Sequence, residues 1–321
     1  MTAATARAHP NIALVKYWGK RDLRLNLPAV PSLSVTLDRF ETVTTVIRGT
    51  GQDRVVIDDA EAVGRARTRV LRILDLMDPA RPPCHVISRN NFPAAAGLAS
   101  SSSAFAALVL AADVAADQCR SPEQLSVLAR RGSGSACRSL WGGFVEWSVG
   151  RLRDGSDSHG HPIADPGHWD LRIVVAVVSD ARKPVGSTEG MIRTQETSPL
   201  FPAFVDQAPA RVARARQAIL DRDLAALGEE MERSTWEMHA TMLTAWPTIR
   251  YQQPGTLACL DAVVALRGRG ISAWATMDAG PNVKVLCAAA DADEVAAALR
   301  PHAPRVEVLG IGRDPTVELH R

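Results

Sequence analysis

Apolar and polar positions alternate through residues 33–37 and 42–48, with β-branched side chains concentrated in the second run, and this predicts two strands. The period then lengthens: Glu61 to Met77 reads as an amphipathic helix, and Cys84 to Asn90 returns to a strand. Leu98 to Gln118 is long, rich in alanine and all but free of breakers, so it predicts a buried helix. Ser121, Pro122 and Gln124 make a helix start, with a serine cap, a proline in the first turn and a glutamine that reaches back. Residues 150–170, rich in Asp, Gly, Ser, His and Pro, predict a polar connection before a buried strand at Leu171 to Val178. The pattern is mainly helical from Thr188 to about Gly270. Ile271 to Met277 and Val283 to Cys287 then predict paired strands, followed by a helix at 291–300 and a last strand at 305–309. Trp141, Trp147 and Trp274 lie in apolar stretches and are expected in the core.

Strands and helices mix without strict βαβ alternation, which predicts an α+β fold. A change of pattern near 180–190 divides the chain into an N-terminal domain, 1–185, and a C-terminal α+β domain, 186–321. The 321 residues are 46% hydrophobic and 22% charged with a net charge of +2, and no basic stripe interrupts them, which argues against a nucleic-acid partner. Any anionic ligand must therefore meet a local cluster. Five scattered cysteines without a Cys-x-x-Cys pair suit reduced thiols. The first ten residues hold no long apolar run, and the apolar stretches elsewhere are too short for a bilayer, so no membrane is expected and the cytoplasm is the expected compartment.

Two segments have the composition of anion sites. In Gly132 to Leu140, two glycines free the backbone, Ser133 and Ser135 offer hydroxyls, and Arg138 offers a forked cation among small neighbours, Gly134, Ala136 and Cys137. In the second, Pro93, Ala96, Gly97, Leu98, Ala99, Ser100, Ser101 and Ser102 join a strand to the start of the long helix, where unpaired N–H groups and the helix dipole favour phosphate. This is not the Walker loop, whose Gly-x-x-x-x-Gly-Lys-Ser/Thr is absent. A serine-capped structural helix explains the same composition about as well.

The loop from Pro93 resembles the phosphate-binding loop of the GHMP kinase superfamily, Pro-x-x-x-Gly-Leu-x-Ser-Ser followed by small residues. Three further segments resemble the diphosphomevalonate decarboxylase family within it: Asn11 to Asp22 running on to Leu37, Ser133 to Arg138, and Met277 to Asn282. The resemblance spans nearly the whole chain. It implies a two-lobed α+β fold with an active-site cleft between the lobes, ATP and Mg²⁺ as cofactors, a homodimer, and (R)-5-diphosphomevalonate as the substrate, converted to isopentenyl diphosphate, ADP, phosphate and carbon dioxide. By the same resemblance Asp278, Arg138 and Lys16 are catalytic. Tyr17, Trp18, Gly19, Lys20, the segment Ser133 to Arg138, Ser187 and Thr188 hold the substrate, and the loop from Pro93 to Ser102 holds the nucleotide. No fixed protein ligand for a metal is implied; Mg²⁺ travels with ATP, with Ser100 or Ser101 in reach. Gly186 stands where the family often carries a serine, and the family's helix arginine falls on Arg65, Arg67 or Arg69.

Residue chemistry fits these roles. Lys16, Lys20 and Arg138 supply cations for a substrate with a diphosphate and a carboxylate. A carboxylate with a reference pKa of about 3.9 cannot strip a free tertiary alcohol, so Asp278 is expected to orient the hydroxyl and take its proton late. Arg138 must hold the substrate carboxylate without preventing its loss. His159 and His161, with His168 nearby, read as a solvated loop, Cys137 as a buried filler and His239 as structural. The rivals are a relative acting on the 5-monophosphate, a mevalonate 3-kinase that stops after phosphoryl transfer, and a regulator that binds nucleotide without turnover.

Overall fold

The computed structural model describes residues 2–92, 100–181 and 183–320. Elements are numbered in chain order. The first sheet runs β16 (Thr316–His320), β1 (Ala3–Ala8), β6 (Thr42–Arg48), β9 (Cys84–Asn90), β7 (Arg54–Ile57) and β8 (Ala60–Glu61), antiparallel except for the parallel pair of β7 with β9. Helix α2 (Ser100–Ala115) lies across β1 and β6. The approach is close because both sides are small: Ala4, Ala6 and Ala8 meet a helix carrying Ala106, Ala107 and Ala111, all fully buried. Helices α1 (Gly64–Met77) and α3 (Pro122–Gly132) pack beside α2. Helix α3 begins with the expected capping box between Ser121 and Gln124.

The second sheet, β11 (Gly160–Ala164), β10 (Phe144–Trp147), β5 (Ser32–Thr36) and β2 (Asn11–Val15), is antiparallel throughout. Leu33 and Val35 of β5 join one apolar cluster, while Ser32, Ser34 and Thr36 face a buried polar interior on the other side. The third sheet, β13 (Trp274–Met277), β14 (Val283–Ala288), β12 (Leu171–Val177) and β15 (Arg305–Leu309), is likewise antiparallel. Helices α7 (Pro254–Gly268) and α8 (Ala292–Leu299) cover one of its faces. Against the other, α5 (Phe201–Asp221) and α6 (Leu224–Leu243) close a core shared with the second sheet. A hairpin of β3 (Lys20–Asp22) with β4 (Leu27–Pro28) and helix α4 (Ser187–Thr197) complete the description. Strand β12, which precedes residue 185, belongs to the third sheet, and the final strand β16 returns to the first.

Several expectations need correction. The first helix begins at Gly64, because Ala60–Glu61 pairs with β7 as a strand. The long helix ends at Ala115, and residues 93–99, which carry the expected Pro93, Ala96, Gly97, Leu98 and Ala99, lie outside the described residues. The polar connection contains β11, paired with β10, whose edge position tolerates Pro162. His161 therefore sits half-buried in a strand, bonded to Ser148 Oγ at 3.1 Å, rather than in a solvated loop. The 271–277 strand begins only at Trp274. Trp147 is fully buried, whereas Trp141 and Trp274 lie at the margins of their clusters.

Candidate active site

Strand β2 delivers Lys16 at its end, and the turn after β13 delivers Asp278. Lys16 is 1% exposed and donates from Nζ to Asp278 Oδ1 at 2.8 Å. Lys284, from β14, donates to Oδ2 at 3.0 Å, so each carboxylate oxygen is held by its own ammonium group. Burial alone would raise the Asp278 pKa, but the two lysines outweigh it and hold the carboxyl well below the usual range. Burial, with Lys284 and Arg138 nearby, pushes Lys16 down to about 8 in spite of its partner. The Asp278 side chain remains 30% exposed, which leaves it open to a ligand. The turn behaves as its composition predicts: Gly280 N donates to Asp278 O at 2.8 Å, and Asn282 Oδ1 accepts from Val178 and Ser179 at the end of β12.

Gly134 to Arg138 forms a short 3₁₀ turn after α3. Gly134 is required there, since a Cβ would stand 2.7 Å from the Tyr17 ring. Along the turn Ser133 and Ser135 stay partly exposed while Gly134, Ala136, Cys137 and Arg138 are buried. Cys137 is inert, its thiol pushed up to about 12 by burial. Arg138 is 2% exposed, and among the described residues it bonds neutral oxygens, Ser32 Oγ at 2.6 Å and Asn11 Oδ1 at 3.1 Å. Asn11 in turn donates to Ser135 O and Ser139 Oγ, which fixes its oxygen toward the arginine. Arg138 Nε and the Tyr17 hydroxyl are buried without a hydrogen-bond partner among the described residues. Unpaired buried donors are costly, by about 1–3 kcal/mol each, so this pair suits a polar ligand.

Lys20 opens β3 beyond Gly19, whose φ of +93° makes the turn. Burial and the surrounding Arg69, Arg65 and Arg72 push Lys20 down to about 8. Such a gathering of cations around a lysine is a phosphate-binding environment. Of the three helix arginines the sequence offered, Arg67 turns away to Asp53 O, while Arg69 donates to Gly132 O beside the 3₁₀ turn. Arg72 also joins the group. Ser101 Oγ lies 3.0 Å from Ser133 Oγ, so the first turn of α2 meets the segment that carries Arg138. Ser100 and Ser102 stand in that same turn, which contains no acidic residue.

The family model described as a diphosphomevalonate decarboxylase-like N-terminal domain matches residues 8–160, and that of the mevalonate 5-diphosphate decarboxylase C-terminal domain matches residues 173–310. The chain belongs to the diphosphomevalonate decarboxylase family. Diphosphomevalonate decarboxylase of Gibberella zeae is 41% identical over 92% of this chain and 83% of its own length. The structure of mevalonate diphosphate decarboxylase from Staphylococcus aureus superposes with a TM-score of 0.93 at 35% identity, covering 100% of this chain and 98% of that one. A structure described as MDDEF in complex with MVAPP, AMPPCP and magnesium gives 0.91 at 36% identity, covering 99% of each.

Within this decarboxylase family site, the remaining expected residues divide by surroundings. Trp18 packs among Met191, Phe201, Phe204 and Tyr251, and its indole nitrogen is buried. Ser187, at the start of α4, accepts from Lys183 Nζ at 2.8 Å, and Thr188 is exposed beside it. Lys183 also donates to Ala279 O at 2.8 Å. Lys183, Lys284 and Arg72 were not found from sequence. Lys284 sits in an apolar strand, Val283–Ala288, where a lone lysine among buried positions was the one available signal.

Proposed function

We propose that this chain catalyses the ATP-dependent decarboxylation of (R)-5-diphosphomevalonate to isopentenyl diphosphate, with release of ADP, phosphate and carbon dioxide. The observation that carries the reading is the carboxylate of Asp278 held between Lys16 and Lys284, near an arginine that has no salt-bridge partner among the described residues. The serine-rich first turn of α2 suits the phosphates of ATP. Mg²⁺ would come with ATP and take most of its ligands from those phosphates, with Ser100 or Ser101 in reach. Bound there, Mg²⁺–ATP supplies a γ-phosphoryl group whose charge is partly neutralised.

The chain's own residues do the rest. Lys20, Arg69 and Arg72 take the diphosphate, with Arg65 close by and Tyr17, Ser133 and Ser135 adding hydroxyl donors. Asp278 accepts a hydrogen bond from the 3-hydroxyl. Two ammonium groups make its carboxylate a weak base, so the proton moves only as the new P–O bond acidifies the oxygen. Arg138 orients the substrate carboxylate. Its partners among the described residues are neutral, so its position is fixed without spending its charge, and that charge is shared with phosphate as carbon dioxide leaves.

The experiment gives purified protein ATP, Mg²⁺ and either mono- or diphosphomevalonate, and measures ADP and carbon dioxide. Both products from the diphosphate are expected, and Asp278→Asn should abolish both. ADP without carbon dioxide would sink the decarboxylase reading in favour of a 3-kinase, and neither product would favour a regulator. We further place the protein in the cytoplasm, in keeping with its unpaired cysteines, and read it as a homodimer. No helix among the described residues is long and apolar enough to cross a membrane. The exposed apolar residues Trp236, Leu243, Trp246, Leu257 and Val264 on and beside α6 and α7 offer the dimer a surface.

A further inference from the structure

Helix α6 runs alongside β13 in the same sense. Gly228 stands against Trp274, where a Cβ would come within 2.0 Å of the indole. Farther along, Glu232 Oε1 accepts from Ala275 N at 2.8 Å, and Thr235 Oγ1 lies 2.8 Å from Thr276 Oγ1. The next residue on that face, one helical turn beyond Thr235, is His239, which therefore comes level with Met277 and Asp278. The same helix holds the other half of the ion pair, because Ser234 Oγ accepts from Lys16 N at 2.9 Å.

His239 is 1% exposed. The Gln252 amide nitrogen donates to its Nδ1 at 2.8 Å, which leaves the ring proton on Nε2. That Nε2 is buried against the Met277 backbone, next to Asp278, with no well-formed hydrogen bond among the described residues. Gln252 itself lies in a connection that latches the site. Tyr251 donates to Val185 O at 2.9 Å on one side of it, and Thr256 to Pro281 O at 2.6 Å on the other.

We propose that His239, pinned by Gln252, is a positioning residue that sets the Asp278 carboxylate against Lys16, and that it works only as the neutral imidazole. This rests on the reading of function given above. The charged groups that act on the ring are Lys16 from β2, Asp278 from β13 and Lys284 from β14. Burial first, then Lys16, pushes the imidazole down to about 4, so no third cation competes for the carboxylate at working pH. An imidazolium in this place would draw Asp278 away from the two lysines.

The test replaces the neutral partner. Gln252→Glu sets a carboxylate against Nδ1 and stabilises the imidazolium. In that variant kcat is expected to fall about tenfold as pH drops from 8 to 6 and to recover as pH rises, with both KM values within about twofold, while wild-type kcat stays level. His239→Asn is expected to lower kcat by about 10- to 100-fold at every pH, again with little change in KM. If His239→Asn fails to fold, the Gln252→Glu profile decides alone. A wild-type pH profile in Gln252→Glu, or wild-type kcat in a folded His239→Asn, overturns the proposal. An active wild type with unaffected variants removes only the role of His239, whereas a wild type that forms neither ADP nor carbon dioxide removes the functional reading and this proposal with it.

Discussion

Lys16 and Lys20 share a lowered proton affinity for different reasons. Both are desolvated, but Lys16 has an anionic partner and crowded cations, while Lys20 has only arginines about it. In the roles proposed above each works charged, and each is charged only below about 8, so activity is expected to be lost as pH rises through that value rather than as it falls. In the free enzyme kcat/KM should therefore fall above pH 8 with a logarithmic slope approaching about 2, and Lys20→Arg, which stays charged, should reduce that slope to about 1. A pH–rate series at constant ionic strength checks it, and an unchanged slope in the variant would remove Lys20 from substrate binding. Single residues were unevenly legible in the sequence. Asp278 and Arg138 stand in short motifs of turn-forming and small residues, where a charged side chain is conspicuous. Lys284 and Lys183 carry no such frame, and their roles depend on strand pairing and on a loop contact that no local pattern encodes.

Among the elements, the hairpin that carries Lys20 is held in part by one buried cation. Arg130, near the end of α3, is fully buried and has no salt-bridge partner among the described residues. It donates to Leu25 O at 3.3 Å, Gly155 O at 2.8 Å and Ser158 O, and its own carbonyl accepts from Asn26. Helix, hairpin and the loop before β11 are thus joined through backbone oxygens. Arg130→Met leaves those acceptors buried and unpaired, and should cost about 3 kcal/mol in a denaturant titration. It should also raise KM for the diphosphate more than KM for ATP; an equal rise in both would show that the hairpin is not what it holds. The elements themselves were legible where the period was long or the punctuation strong, as in β9 and the Ser121 cap. The short strands β10 and β11 were not, because four or five residues say nothing about which distant backbone will pair with them.

At the scale of the molecule, the second and third sheets share one apolar cluster through α5 and α6, and the Lys16–Asp278 pair spans the same junction. The α+β class follows from the unalternated pattern, but the sheet membership of β12 and β16 depends on contacts between distant parts of the chain. Trp236 and Val264 line one groove between α6 and α7, with Trp246 at 76% exposure just beyond α6. If two copies bury this surface, Val264→Glu should yield monomers in sedimentation velocity while retaining the fold by circular dichroism. A dimer that persists would move the interface elsewhere.

The last strand also bears on biosynthesis. Residues 3–8 are made well before their neighbours on the outer side, 316–320. A nascent chain must carry the open edge of β1 until everything between the two strands has been made, with Ala4 and Ala6 already facing the helix behind them. The edge is alanine-rich and short, with an arginine at position 7, and such a strand is a poor template for other chains while it waits. The first sheet can therefore pack against its helix before its border strand exists.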